Sequence, residues 1–225
     1  MFTSATSRRW IGRSAWVMAW VGLLVGELHA LARYATVDGR GDLAQPLTRF
    51  WAVPAAHALR PLLDWSGPYT VYLTYGKVWL PVFVAFTACA LLVYRLRSAR
   101  GFEKWAWRVA LLGYGVATLS VLLEYFTPWT DQAFAALTLP GVLISMVGST
   151  LLGIGLLRNG FRPRVSAVLL VACIPVFVAI IQVTSMGNAV LPLAFAFGIA
   201  GRRIARDAAA DDVAFAPMVT TTGDA

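Results

Sequence analysis

Long apolar runs separated by short polar breaks dominate the chain, and the runs have membrane-crossing length. A helix rises 1.5 Å per residue, so about 20 apolar residues cross a hydrocarbon core of about 30 Å. Runs of this kind cover residues 14–34, 78–94, 107–125, 137–157 and 165–183, and a shorter sixth covers 189–205. Only Thr184-Ser185-Met186-Gly187-Asn188 separates the last two, which is turn chemistry. Together they exceed one membrane thickness, so two short spans fit better than one long one. The pattern predicts an all-α, polytopic membrane helix bundle of about six transmembrane helices, one unit over residues 1–206. Residues 207–225 lack periodicity and are expected to form a disordered cytoplasmic tail.

One segment outside the runs is long, residues 35–77. Its Leu43, Leu47, Phe50, Trp51, Pro54 and Ala58 recur at helical spacing, while Pro46, Pro54, Pro61 and Pro68 divide it into short pieces. Two readings stay open: helices lying flat in the outer interface with Phe and Trp dipped into lipid, or a cap over the bundle that touches no lipid. Tyr69, Tyr72, Tyr75 and Trp79 then read as part of an aromatic belt.

Composition agrees with the pattern. Apolar residues make up 59% and charged residues 13%, against about 45–50% and 25% in soluble domains. The net charge of +8 would point to nucleic acid in a soluble protein. Here topology explains it. Arg8, Arg9 and Arg13 precede the first run; Arg95, Arg97, Arg100, Lys104 and Arg108 lie between the second and third. Arg158, Arg162 and Arg164 lie between the fourth and fifth, and Arg202, Arg203 and Arg206 follow at the end of the sixth. All fall on one side of a six-span arrangement, which predicts an inner-membrane protein with both termini cytoplasmic. Nucleic acid is not an expected partner, because no loop is long enough to form a domain. A cleavable signal peptide is the rival for the N-terminus, with Ala30-Leu31-Ala32 as its cleavage site; Trp16, Trp20, Glu27 and His29 argue against it.

Leu80-Pro81 and Gly101-Phe102 align with Leu139-Pro140 and Gly160-Phe161 at one offset of 59 residues. Duplicated hairpins and common helix punctuation both account for this. Small residues form stripes that admit close helix packing: Gly22 and Gly26 in the first span, and Gly141, Ser145, Ser149 and Gly153 in the fourth. Their partner is either the same bundle, a second copy or another membrane subunit.

Candidate chemistry lies in the outer half. Ionisable groups in a bilayer cost about 2.5–3.5 kcal/mol on insertion scales, so they are functional candidates. Glu27, His29 and Arg33 share the outer end of the first span. Lys77 stands at the mouth of the second, Glu124 near the outer end of the third, and Gln182 and Asn188 at the last outer turn. The inner half shows little beyond hydroxyls such as Thr87 and Ser149. This asymmetry predicts an outward polar pocket roofed by residues 35–77, with Glu27 and Glu124 pairing with Arg33, His29 or Lys77. A structural layer that fixes helix register is the alternative. Two histidines and two cysteines leave no evident metal or haem set, so no cofactor is expected. No catalytic motif is present either. The expected function is non-catalytic binding of a partner or of a lipid-like, amphipathic ligand. A small-solute transporter and a membrane-embedded lipid-modifying enzyme are the alternatives.

Overall fold

Residues 4–214 are described by the computed structural model. The described residues are all-helical. Helix α1 runs Ala5–Ala35, nine residues earlier than expected, because the Ser4 hydroxyl accepts the backbone N–H of Ser7 and caps it. The outer segment follows as a 3₁₀ turn Arg40–Ala44, then α2 (Pro46–Ala58), α3 (Arg60–Leu63) and α4 (Pro68–Gly76). The bundle continues with α5 (Trp79–Leu96), α6 (Gly101–Phe126), α7 (Thr130–Ala133) and a wide π-turn Phe134–Thr138 that leads into α8 (Leu139–Arg158). Helices α9 (Arg164–Val171) and α10 (Cys173–Ile181) form a bent pair, and a 3₁₀ turn Met186–Val190 leads into α11 (Leu191–Ala214).

Four stretches are long and apolar enough to cross a membrane: Ala5–Ala35, Pro68–Leu96, Gly101–Phe126 and Thr130–Arg158. The pair α9–α10, bent by 60°, makes a fifth if counted as one span. The expected sixth, at 189–205, falls on α11, where Arg202, Arg203, Arg206 and Asp207 interrupt the apolar run. Helix α11 also continues through residues 207–214, where a disordered tail was expected; residues 215–225 of that tail lie outside the described residues.

Prolines explain where the helices break. A proline lacks the N–H that would bond the carbonyl four residues earlier, and its ring meets that carbonyl. For Pro81 the affected carbonyl is Lys77, and the chain breaks between α4 and α5 there. Pro140 addresses Ala136 inside the π-turn, and Pro175 addresses Val171 at the α9–α10 bend. Pro192 addresses Asn188 in the turn before α11. Leu80-Pro81 and Leu139-Pro140 lie in the first turns of α5 and α8, each just after a break within a longer helical stretch.

Backbones approach closely where side chains are small. A Cβ on Gly12 would collide with the Gly201 carbonyl oxygen, so the two glycines set the crossing of α1 and α11. Gly22 faces Val82 and Leu191, and Gly26 faces Asn188 and Trp79. On α8, Gly141 meets Ala117, Ser145 lies beside Gly113, and the Ser149 hydroxyl is 2.7 Å from the Tyr114 hydroxyl, all on α6. Gly153 meets α9 at Ala167 and Val171. The small-residue stripes thus find partners within the bundle. The middle of the interior is filled by Phe86, Trp107, Tyr114 and Phe197, all buried.

One charged cluster sits opposite the expected end. Helix α6 starts at Gly101, before the expected span at 107–125, and draws Glu103 into the bundle, where it is 2% exposed. Its carboxylate accepts from Arg97 Nε and the Arg97 terminal nitrogen at 2.7 and 3.1 Å. It also accepts from the Asn159 amide and, at 3.4 Å, from Trp107 Nε1. Arg97 stacks over Phe161 at 5.2 Å, so the α5–α6 link is clasped to the end of α8.

The outer segment behaves as a cap on one face. Leu43, Trp51 and Ala55 pack with Ala52 onto Ala30, Leu31 and Tyr34 of α1. Leu47, Phe50 and Val53 point away, with Phe50 85% exposed. Tyr72 and Trp79, expected in an aromatic belt, are buried, and Tyr75 donates to the Leu62 carbonyl at 2.8 Å. Trp51 Nε1 donates to the Val183 carbonyl at 2.6 Å, tying α2 to the end of α10. Replacing Trp51 by Phe removes that bond, worth about 1 kcal/mol. Limited proteolysis in proteoliposomes is expected to cleave the 40–66 segment faster in Trp51→Phe than in wild type. Equal rates would mean that the bond holds nothing in place.

Candidate functional site

A cavity of about 580 Å³ opens beside the helix breaks, where Trp79, Thr138 and Gly187 line it. Its polar end is formed by His29 and Arg33 of α1, Asp42, Gln45 and Thr48 of the outer segment, Glu124 of α6, and Thr138 of the π-turn. Thr184 and Ser185 add hydroxyls from the turn after α10. Its apolar end is formed by Phe83, Val121, Val142, Met146, Phe177 and Leu193. Phe134, Leu139 and Leu143 line it while remaining exposed, Leu143 by 67%. The wall beside α8 therefore turns an apolar edge outward.

His29 organises the inner corner of the polar end. Trp79 Nε1 donates to its Nδ1 at 3.1 Å. An indole only donates, so Nδ1 is the acceptor and the neutral ring carries its proton on Nε2. Nε2 then faces the Tyr125 hydroxyl at 3.2 Å. Tyr72 stacks on the imidazole with ring centres 4.8 Å apart, and the Tyr72 and Tyr125 hydroxyls are 3.5 Å apart. With both nitrogens engaged and Tyr72 stacked on one face, His29 is an orienting group and has no free lone pair for proton abstraction.

Charge is distributed differently from the sequence expectation. Arg33 pairs with Asp42 at 3.2 Å, across the short turn that folds back over α1. Lys77 lies 5.7 Å from the centre of the Phe126 ring, outside the cavity wall. Neither Glu27 nor Glu124 forms an ion pair among the described residues. Glu124 accepts from the Thr138 hydroxyl at 3.3 Å. Glu27 accepts from Thr184 at 3.3 Å, and Thr184 in turn accepts from the Asn188 amide at 2.9 Å. This second chain ties α1 to the turn before α11, directly behind the cavity wall.

Of the seven expected ligand-binding residues, His29, Arg33 and Glu124 line the cavity. Glu27 and Asn188 form the separate chain through Thr184. Gln182 contributes a carbonyl 3.4 Å from the Thr48 hydroxyl, and its side chain is exposed. Ser145, expected only as a packing residue, also lines the cavity. Asp42, Gln45, Thr138 and Ser185 escape a reading by ionisable groups within spans, because they come from the outer segment, a wide turn and a loop. The prolines four residues beyond each break were the available signal. No metal-binding group of three or more His, Cys, Asp or Glu is found among the described residues. No family model, no curated protein and no solved structure matches the chain.

Proposed function

We propose that this is an integral membrane protein that holds a lipid-like, amphipathic molecule in its outer-half cavity. One observation carries the reading: a single cavity of ligand size joins a polar end to an apolar end. The exposed Leu139 and Leu143 at its edge offer a route for an acyl chain to enter from the surrounding bilayer. In this arrangement the exposed face of α2, with Leu47, Phe50 and Val53, rests in the outer interface while its other face caps α1.

The same reading includes six crossings of an inner membrane, with α11 as the sixth, and both termini in the cytoplasm. Basic residues gathered at one end support it. Arg202 lies 4.9 Å above the Trp16 ring, and Arg162, Arg164 and Arg203 surround one small cleft. Transport is less well supported, because Phe86, Trp107, Tyr114 and Phe197 fill the interior beneath the cavity. Lipid modification through Glu124 is a second reading, since its carboxylate lines the cavity without an ion pair among the described residues; His29, with both ring nitrogens engaged, offers it no base.

The test is retention of a bound molecule. Wild type and a Val142→Trp variant, whose new ring projects into the cavity, are transferred to nanodiscs, and bound molecules are identified by native mass spectrometry. A stoichiometric amphiphile is expected in wild type and absent from a variant that keeps its thermal midpoint. Equal retention by both proteins, or retention by neither, would overturn the reading.

A further inference from the structure

The cavity reading leaves the polar end of the occupant undefined, and the hydrogen-bond inventory of the wall defines it. Two strong donors in the wall already have acceptors: Arg33 Nε is paired with Asp42, and Trp79 Nε1 is bonded to His29. Acceptors are left over. Glu124, 7% exposed, has the hydroxyls of Thr138 and Tyr125 as donors and no ion pair among the described residues, and Gln45 Oε1 is buried without any partner. The charges of Arg33 and Asp42 cancel, so an ionised Glu124 leaves this end with a net negative charge. Ser185 adds a buried hydroxyl without a partner, which can donate or accept. A buried acceptor without a donor costs about 1–3 kcal/mol. An occupant that brings donors relieves that cost; one that brings an anion adds repulsion. The rings of Tyr72 and Tyr125 line the same end, and aromatic faces attract cations.

We infer that the occupant is a single-chain amphiphile whose head is a protonated amine, its nitrogen at Glu124 and Gln45 and its hydrocarbon toward Met146 and Leu193. This rests on the cavity reading. The probes are dodecylamine, dodecanol and dodecyl phosphate, which share one chain and differ in head. Binding to the protein in phosphatidylcholine nanodiscs is counted by native mass spectrometry for wild type, Glu124→Gln, Gln45→Leu and Val142→Trp. Signal absent from Val142→Trp is the cavity-specific part.

Wild type is expected to bind dodecylamine about tenfold more tightly than dodecanol, the scale of one charged hydrogen bond, and dodecyl phosphate most weakly. Glu124→Gln should lose the amine preference while binding dodecanol as before, and Gln45→Leu should lose part of it. Should Glu124→Gln fail to fold, the wild-type ranking and Gln45→Leu still decide. Cavity-specific binding with amine and alcohol equal, or with phosphate preferred, overturns the head-group assignment and leaves the cavity reading standing. Binding that is unchanged in Val142→Trp for all three probes overturns both.

Discussion

Adding one methyl group at Gly148 is expected to force α6 and α8 apart and lower stability by about 2–3 kcal/mol, at the upper end of overpacking costs. A Cβ there would lie 2.7 Å from both the Cα and the N of Ala110. Those are backbone atoms, so no rotamer change makes room. The neighbouring contacts are of the same kind: Gly113 against Ser145, and Gly141 against Ala117. Moving one contact strains the others. The control is Gly115→Ala on α6, where nothing lies within 4 Å of the new Cβ. Removing a helical glycine at an open position stabilises by about 0.5–1 kcal/mol. Thermal unfolding in mild detergent should therefore move the two variants in opposite directions. A Gly148→Ala protein as stable as wild type would mean that this crossing tolerates separation.

Glu103→Ala is expected to cost about 3 kcal/mol or more, because it strands the Arg97 guanidinium against Phe161 and leaves the Asn159 amide without its acceptor. The pair can be replaced at lower cost than it can be broken. The double variant Arg97→Met, Glu103→Met removes both charges and should be less destabilised than the sum of the two single changes. Denaturant-induced unfolding of the four proteins gives the coupling directly. Additive losses would show that Arg97 and Glu103 do not act through each other. Because this clasp lies at the opposite end from the cavity, the double variant should keep wild-type dodecylamine preference.

Much of the architecture was readable from the chain. Spans follow from apolar run length, since a helix must hide its backbone polar groups wherever water is absent. Part of the cavity wall was readable as well: His29, Arg33 and Glu124 stood out as ionisable groups near the ends of apolar runs, and all three line the cavity. What ionisable groups do to one another was not readable. Arg33 meets Asp42 because a 3₁₀ turn folds back across α1, and residue spacing does not report such a fold. Lys77 stays out of the cavity because the Pro81 break turns the end of α4 toward Phe126. Glu103 looked like a loop residue among arginines, and only the early start of α6 buries it.

The sequence by itself determined the helical class, the positions of the four long apolar stretches, the carbonyls that Pro81, Pro140, Pro175 and Pro192 leave without a donor, and the grouping of His29, Arg33 and Glu124 toward one end. These depend on local rules: helical rise, the missing proline N–H and the cost of charge in hydrocarbon. Tertiary structure alone decided that the broken helix ends leave a cavity, that Thr138 rather than an ion-pair partner meets Glu124, and that the α8 stripe packs on α6 and α9. Those outcomes depend on which faces meet across distant segments, and contact between segments is a property of the packed bundle rather than of any one run of residues.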